Sequence, residues 1–502
     1  NYIAEYYEYF AGLADKVEGT VLPIDKPNMQ VITTREPIGV IAAIIPWNSQ
    51  MLLTAVKLAP ALAMGNTIVF KAAEQTPLTA MFFAQLCEEA GLPPGVINMV
   101  NGDGVIGAEL AAHKGVDKVA FTGSTAVGRS IRESTAGQGK KLTLELGGKS
   151  AFIVFEDADL DAAVEGLVDS IWFNQGEVCC AGSRLLVQAE VADELHQKIK
   201  QRIKSLRLGS SLDKSTDIGS LVSQTQFNRV SSMVDSGLNH GGVIYQSCDL
   251  DPEGNFYPPT LITDVESSHP LVQEEIFGPV LVSMTFRTQS EAVKLANNSR
   301  YGLAASVWSE NINRAMDVAP KVKAGVIWIN CHNQFDASCG FGGVKESGFG
   351  REGGKEGLFE YLKPLGLKPA SKPQSKPIKA KEVVIDRTLK LYIGGKQVRP
   401  DGGHSIETFN SDGSHASYVG SGNRKDIRNA VSAASKALSW GSLSGHGRAQ
   451  IIYFIAENLS VRESEWTERL ISLCGVTKKQ AKAEFDESIC RLFSYAAWAD
   501  KY

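Results

Sequence analysis

The chain has 502 residues, too many for one hydrophobic core, and predicts two to four domains of ordinary size. Hydrophobic residues make up 43% and charged residues 21%, which excludes a disordered or fibrous protein. Acids outnumber bases 56 to 51, a formal charge of −5, so there is no basic excess to neutralise phosphates and nucleic acid is not an expected partner.

No membrane span is expected, because the most apolar stretch, 38–70, is interrupted by Asn48, Lys57, Pro60 and Asn66. The opening NYIAEYYEYF lacks a basic region followed by an apolar run, so no secretory leader is expected, and Asn1 fits a fragment or a processed product. The eight cysteines are scattered, with neither a CxxC pair nor His/Cys clustering. They predict free thiols in a reducing, cytoplasmic setting and no metal site.

In chain order, IGVIAAIIP (38–46) reads as a buried strand and 51–64 as a helix stopped at Gly65-Asn66. TIVFK (67–71) is a second strand, and Thr76-Pro77 opens a helix with Thr as its cap. GVINMV (95–100) and KVAFTG (118–123) continue the alternation, which predicts an α/β fold with a doubly wound parallel sheet. SAFIVF, RLLVQA, VLVSMTF, ASVWS and GVIWIN, between 150 and 330, predict a second α/β domain. Residues 363–381 hold six Lys, four Pro and no acid, and read as a stiff solvated linker. LKLYIGGKQV (389–398) then predicts a hairpin turning at Gly394-Gly395, followed by helical patterns over 424–438, 448–462 and 463–473. The two ends are alike: FAGLADKV (10–17) and YAAWADKY (495–502) share four residues at an offset of 485.

Six strings carry chemistry. FTGSTAVG places Gly123 and Gly128 where a strand meets a helix, so that a dinucleotide phosphate can approach backbone N–H groups. VFKAAEQTP brings Lys71 and Glu74 to a strand end, where a carboxylate accepts ribose hydroxyls and repels a 2′-phosphate, favouring NAD over NADP. In LELGGKS, Glu145 lies among apolar residues, which raises a carboxyl towards usefulness as a base. NQGEVCCAGSR sets Cys179 in a loop, a nucleophile if its thiol is activated, while Cys180 reads as a core residue. PWNSQ offers the Asn48 amide to an oxyanion. QEEIFGPV alternates Glu275 and Phe277 about Ile276, presenting a carboxylate and a ring to one side of an extended segment. Each string alone has a plainer reading as a turn, a surface ion pair or a core residue.

Together with FGGVKESGFGRE (341–352), these strings resemble the aldehyde dehydrogenase superfamily, in family order over residues 1–365. The resemblance implies a Rossmann-type NAD-binding domain, an α/β catalytic domain and a small β oligomerisation element. It also implies a homo-oligomer, a dimer, acting on a small-molecule aldehyde with NAD, NADP being the less favoured cofactor. By motif position Cys179 is the nucleophile, Glu145 the general base and Asn48 the oxyanion donor. Cofactor contacts are implied at Ile44, Pro46, Trp47, Lys71, Glu74, Gly102, Gly123, Ser124, Val127, Gly128, Leu146, Glu275 and Phe277.

The order of parts resembles the tandem-unit subfamily, aldehyde dehydrogenase family sixteen. It suggests a cofactor domain with its β segment over 1–146, a catalytic domain over 147–350, a connecting segment over 351–388 and a partial second unit over 389–502. That last part is expected to dock where N-terminal family material belongs, as in a circular permutation. Three departures stand out. PWNSQ lacks the aromatic–Pro pair that often follows, Glu177 replaces a common Gln, and CGFGG (339–343) lacks the more usual Pro before FGG. A carboxylate at 177 would raise the Cys179 thiol unless it points away. A silent scaffold acting in protein interaction is the alternative, but retention of Cys179, Glu145 and Asn48 favours an enzyme.

Overall fold

Buried, largely β-branched runs build the first sheet. In the computed structural model, which describes residues 2–22, 28–248, 254–365, 389–409, 414–442 and 445–499, five parallel strands form its centre. They are β1 (Val40–Ile44), β2 (Thr67–Lys71), β3 (Ile97–Val100), β4 (Lys118–Thr122) and β5 (Lys141–Glu145). β1 to β4 are buried at every position, as in a sheet covered on both faces. Ile41 and Ala43 face a core shared with α1 (Tyr2–Leu13), α2 (Gln50–Ala63) and α3 (Leu78–Glu89). Val40, Ala42 and Ile44, on the opposite pleat, face α4 (Gly104–Ala112) and α5 (Thr125–Thr135). The Thr76 cap is not made: α3 begins one residue later, after Pro77, and the Thr76 hydroxyl has no partner.

The second sheet comprises β6 (Ala151–Val154), β7 (Arg184–Gln188), β8 (Val243–Gln246), β9 (Thr260–Thr263), β10 (Val280–Phe286), β11 (Ala304–Trp308) and β12 (Val326–Ile329), in the order β8-β9-β10-β7-β6-β11-β12. Only β8 at its edge runs antiparallel. After it β13 (Gly348–Phe349) returns to the first sheet, pairing antiparallel with β5 so that Gly348 faces Glu145. This return places the 341–352 segment beside the strand that carries Glu145.

The C-terminal part packs on the first sheet. β14 (Leu391–Ile393) and β15 (Lys396–Val398) form the expected hairpin, and β14 pairs antiparallel with β3, setting Tyr392 opposite Met99. The first sheet therefore reads β13-β5-β4-β1-β2-β3-β14-β15. α6 (Arg424–Lys436) opens with a capping box made by Asn423 and Asp426. It then buries Ile427, Ala430, Val431 and Ala434 in the same core as Val100, Leu110 and Val116. α7 (Gly445–Ser460) packs on α3, Trp466 of α8 (Glu463–Cys474) meets the Phe82 ring at 4.0 Å, and α9 (Lys478–Ala499) packs along α1.

The Lys/Pro-rich stretch differs at its start from the expected linker. Lys363 and Pro364 belong to a short strand, Leu362–Pro364, paired with Arg35–Pro37. Positions 366–381 lie outside the described residues. A small hairpin pairs Thr20–Leu22 with Val31–Thr33 and leaves Val21, Leu22 and Ile32 exposed. Among the described residues no helix is long and apolar enough to cross a membrane.

Candidate active site

In the first sheet the chain runs outwards from β1 through β2 to β3, then crosses to the other side of β1 for β4 and β5. The crevice at the C-terminal ends of β1 and β4 is the switch point at which open α/β sheets bind ligands. Residues at both strand ends gather there. Ile44, Pro46, Trp47 and Asn48 leave β1, and Gly123 and Ser124 leave β4. Ser124 caps α5 by accepting from the Val127 N–H (3.3 Å), and a Cβ on Gly128 would run into Leu146. Gly102 follows β3 and leads to Asp103, whose carboxylate accepts from Val105 N–H (3.0 Å) at the start of α4. Val105 and Val127 are exposed apolar side chains in the first turns of the adjacent helices α4 and α5. Val105 was missed in the sequence, where nothing marks an exposed valine. Backbone N–H groups at a helix N-terminus such as that of α5 suit phosphates.

Lys71, at the end of β2, is buried, donates to the Ala72 carbonyl (2.9 Å) and lies 3.8 Å from Glu74. Burial lowers its pKa, while the Glu74 and Asp103 carboxylates pull the other way. Glu74 is itself part-exposed, as a residue that meets ribose hydroxyls must be. These features fit a dinucleotide.

Glu275 and Phe277 do not lie on a simple extended segment. Phe277 has φ of 60°, in the left-handed region, so the two side chains part. The Phe277 ring meets Trp47 edge-on at 5.4 Å, and the Glu275 carboxylate turns inward to accept from Gly148 N–H (2.9 Å). Burial raises the Glu275 pKa, and that N–H lowers it.

The nucleophile loop joins the two sheets. Asn48 Nδ2 donates to the Glu177 carbonyl (3.0 Å), which places the amide against the loop carrying Cys179. The Glu177 side chain points away from the thiol, accepting from Val222 N–H (3.1 Å), so its charge is not among the causes that raise Cys179. The Cys179 pKa is pushed well up, first by the neighbouring Cys180 thiol, then by burial and by the Glu275 carboxylate. The Cys180 backbone N–H acts the other way. Cys180 is itself held. Its thiol bonds to Asn333 Oδ1 (3.3 Å), and its carbonyl meets His332 Nε2 (3.1 Å). Burial lowers the His332 pKa to about 4, so that ring is neutral and donates to the carbonyl from Nε2.

Glu145 ends β5 with both carboxylate oxygens buried and without a hydrogen-bond partner. Its pKa is raised well above the usual range, first by burial, then by Glu352. Lys57 lowers it, and Cys179 and Arg351 also act on it. Lys57 and Glu352 form a fully buried ion pair, from the middle of α2 to the 341–352 segment. The pair was not singled out in the sequence, although Lys57 inside the apolar run MLLTAVKLAPALAM demands a buried partner.

The family model for the aldehyde dehydrogenase family matches residues 1–364 and again 398–502. Retinal dehydrogenase 2 of Gallus gallus is 45% identical over 358 residues, covering 70% of this chain and 68% of that protein. The putative aldehyde dehydrogenase DhaS of Bacillus subtilis is 44% identical over 360 residues, 71% of this chain and 72% of that protein. A crystal structure of betaine aldehyde dehydrogenase from Staphylococcus aureus in complex with NAD+ is similar with a TM-score of 0.71 and 41% identity, covering 72% of this chain and 73% of that one.

Proposed function

The chain belongs to the aldehyde dehydrogenase family, and we propose that it carries out NAD-dependent oxidation of an aldehyde with Cys179 as nucleophile, Glu145 as general base and Asn48 as oxyanion donor. The carrying observation is that Asn48 and Glu145, from two separate segments, both act on the loop that holds Cys179. Asn48 is bonded to that loop, and Glu145 is within electrostatic reach of the thiol. The resting thiol is protonated, since Cys180, burial and Glu275 all disfavour its charge. A base must therefore take the proton as sulfur adds to the aldehyde carbon, and Glu145 is the carboxyl placed to do so.

Asn48 Nδ2 and the Cys179 backbone N–H stabilise the oxyanion of the resulting thiohemiacetal. NAD, when bound, accepts the hydride whose loss turns the thiohemiacetal into a thioester. Once it has passed the thiol's proton to solvent, Glu145 draws a proton from water, whose oxygen attacks the thioester carbon; the carboxylic acid is freed, and the departing Cys179 thiolate takes that proton back from Glu145. Lys57 holds Glu145 nearer to ionisation than burial alone would.

Ile44, Pro46, Trp47, Lys71, Glu74, Gly102, Gly123, Ser124, Val127, Gly128, Leu146, Glu275 and Phe277 would hold the cofactor, with Glu74 at the adenosine ribose and Glu275 and Phe277 at the nicotinamide end. In our reading residues 1–146 form the cofactor domain and 147–350 the catalytic domain. Residues 351–388 connect them to a partial second unit over 389–502, as in the tandem-unit family sixteen. The second family match over 398–502 supports that reading. The exposed strand pair Thr20–Leu22 and Val31–Thr33 is the proposed dimer element, and the scattered spacing of the cysteines supports a reducing, cytoplasmic setting. The test is NADH formation from a panel of aldehydes by the wild type and Cys179→Ser. A wild type at background would overturn the proposal, and so would a variant equal to it.

A further inference from the structure

Glu177 is used by no step above, yet it ties three parts of the site together. The residue is 4% exposed and stands two positions before Cys179. Its backbone carbonyl accepts from Asn48 Nδ2 (3.0 Å) and from Asn174 Nδ2 (3.3 Å). Its carboxylate accepts from the backbone N–H of Val222 (3.1 Å), just ahead of the helix Gln224–Leu238. That helix is bound to the Glu275–Phe277 segment. Gln226 Nε2 donates to the Phe277 carbonyl (2.7 Å), and Arg229 donates to the carbonyls of Ile276 (3.1 Å) and Glu275 (3.0 Å).

The chain leading into Glu177 is under conformational strain. Asn174 and Gln175 have φ of 48° and 56°, a region that side chains other than glycine occupy only when their surroundings hold them there. Asn48 carries a terminal amide with a soft rotor, and an oxyanion donor is useful only if aimed in advance. The Glu177 carbonyl aims it. What keeps that carbonyl in place, on a strained loop, is the anchored Glu177 side chain.

We propose that Glu177 is a positioning residue of the oxyanion site: its carboxyl pins the nucleophile loop to Val222 and so fixes the carbonyl that orients the Asn48 amide. The inference rests on the assignment of Asn48 as oxyanion donor. Burial pushes the Glu177 carboxyl up to about 7 against the pull of the Val222 N–H, so its acceptor oxygen matters more than a full charge. A carboxamide should therefore serve.

The experiment is a steady-state cycle of Glu177→Ala, Glu177→Gln, Asn48→Ala and the double variant Asn48→Ala/Glu177→Ala. Rates are taken per NAD-binding chain so that unfolded material does not count. A misplaced donor lowers rate by up to about 100-fold. We expect Glu177→Ala to lower kcat by about 10- to 100-fold with KM within about 3-fold, and Glu177→Gln to restore kcat to within about 3-fold. Added to Asn48→Ala, loss of Glu177 should change kcat by less than about 3-fold, because both act on one interaction. Should Glu177→Ala not fold, Glu177→Asp, one methylene short of Val222, replaces it in the same cycle.

A wild-type rate in Glu177→Ala, an equal loss in the Asn48→Ala background, or a Gln variant as slow as Ala would overturn the proposal. An Asn48→Ala enzyme as fast as wild type would overturn the Asn48 assignment and this proposal with it. A slow Asn48→Ala beside an unaffected Glu177→Ala overturns this proposal alone.

Discussion

Deleting everything after residue 365 should destabilise the cofactor domain, although that deletion removes none of the proposed site residues. The C-terminal part gives Leu391, Ile393, Ile427 and Val431, each at most 6% exposed, to the core that also holds Val100, Leu110 and Val116. At about 1.5–3 kcal/mol for each large aliphatic side chain, these four contribute about 6–12 kcal/mol. That is comparable to the whole stability of an ordinary domain, about 5–15 kcal/mol. The deletion also strips β14 from β3, leaving an apolar sheet edge that invites pairing between chains. In light scattering and dye binding, chain 1–365 should aggregate and expose apolar surface, and residues 389–502 added in trans should lessen both. A monodisperse, dye-silent 1–365 that melts cooperatively at the full-length temperature would refute the argument. A point probe of the same seam is Ile427→Ala, expected to cost about 2–5 kcal/mol in urea unfolding.

Four further outcomes follow from the site. Lys57→Met leaves Glu352 buried without its partner and should cost about 3–5 kcal/mol in urea unfolding, most of it regained in Lys57→Met/Glu352→Met. The same single change removes the cation that lowers Glu145. A raised carboxyl is a base only above its own pKa, so the acid limb of kcat should move to higher pH and activity at pH 7 should fall; an unmoved limb would count against Lys57 acting on Glu145. Glu145→Gln, which lacks the base for both the thiol and the water, should lose the first NADH equivalent as well as steady-state turnover, as rapid-quench measurement would record; a full first equivalent contradicts Glu145 as the thiol's base, and sustained turnover contradicts the assignment altogether. Glu74→Ala removes a part-exposed carboxylate from the ribose end. It should improve kcat/KM for NADP by about 5- to 10-fold, a screened charge effect of about 1 kcal/mol, checked by parallel NAD and NADP kinetics.

Local chemistry was readable along the chain because strand and helix periods and turn residues act over a few positions. The buried runs at 40–44 and 67–71, the strand-to-helix junction at Gly123 and the Gly394-Gly395 hairpin all stand where their patterns placed them. The strings around Cys179, Glu145 and Asn48 carried the family likeness, and family membership follows from the matches over 1–364 and 398–502. Interactions that close over long separations were not readable. Lys57 meets Glu352 across 295 residues, and Asn48 meets the Glu177 carbonyl across 129. No local pattern says which buried acid answers a buried lysine, or which carbonyl turns an amide. Phe277 left its extended course because its backbone enters the left-handed region, which an alternation of residue types does not encode. The order of parts suggested that residues 389–502 dock on the first unit, but not on which strand or face. Packing decided that they close the edge and one face of the first sheet, since a strand with free backbone groups and a core open on one side are both satisfied only by whatever segment fits them in space.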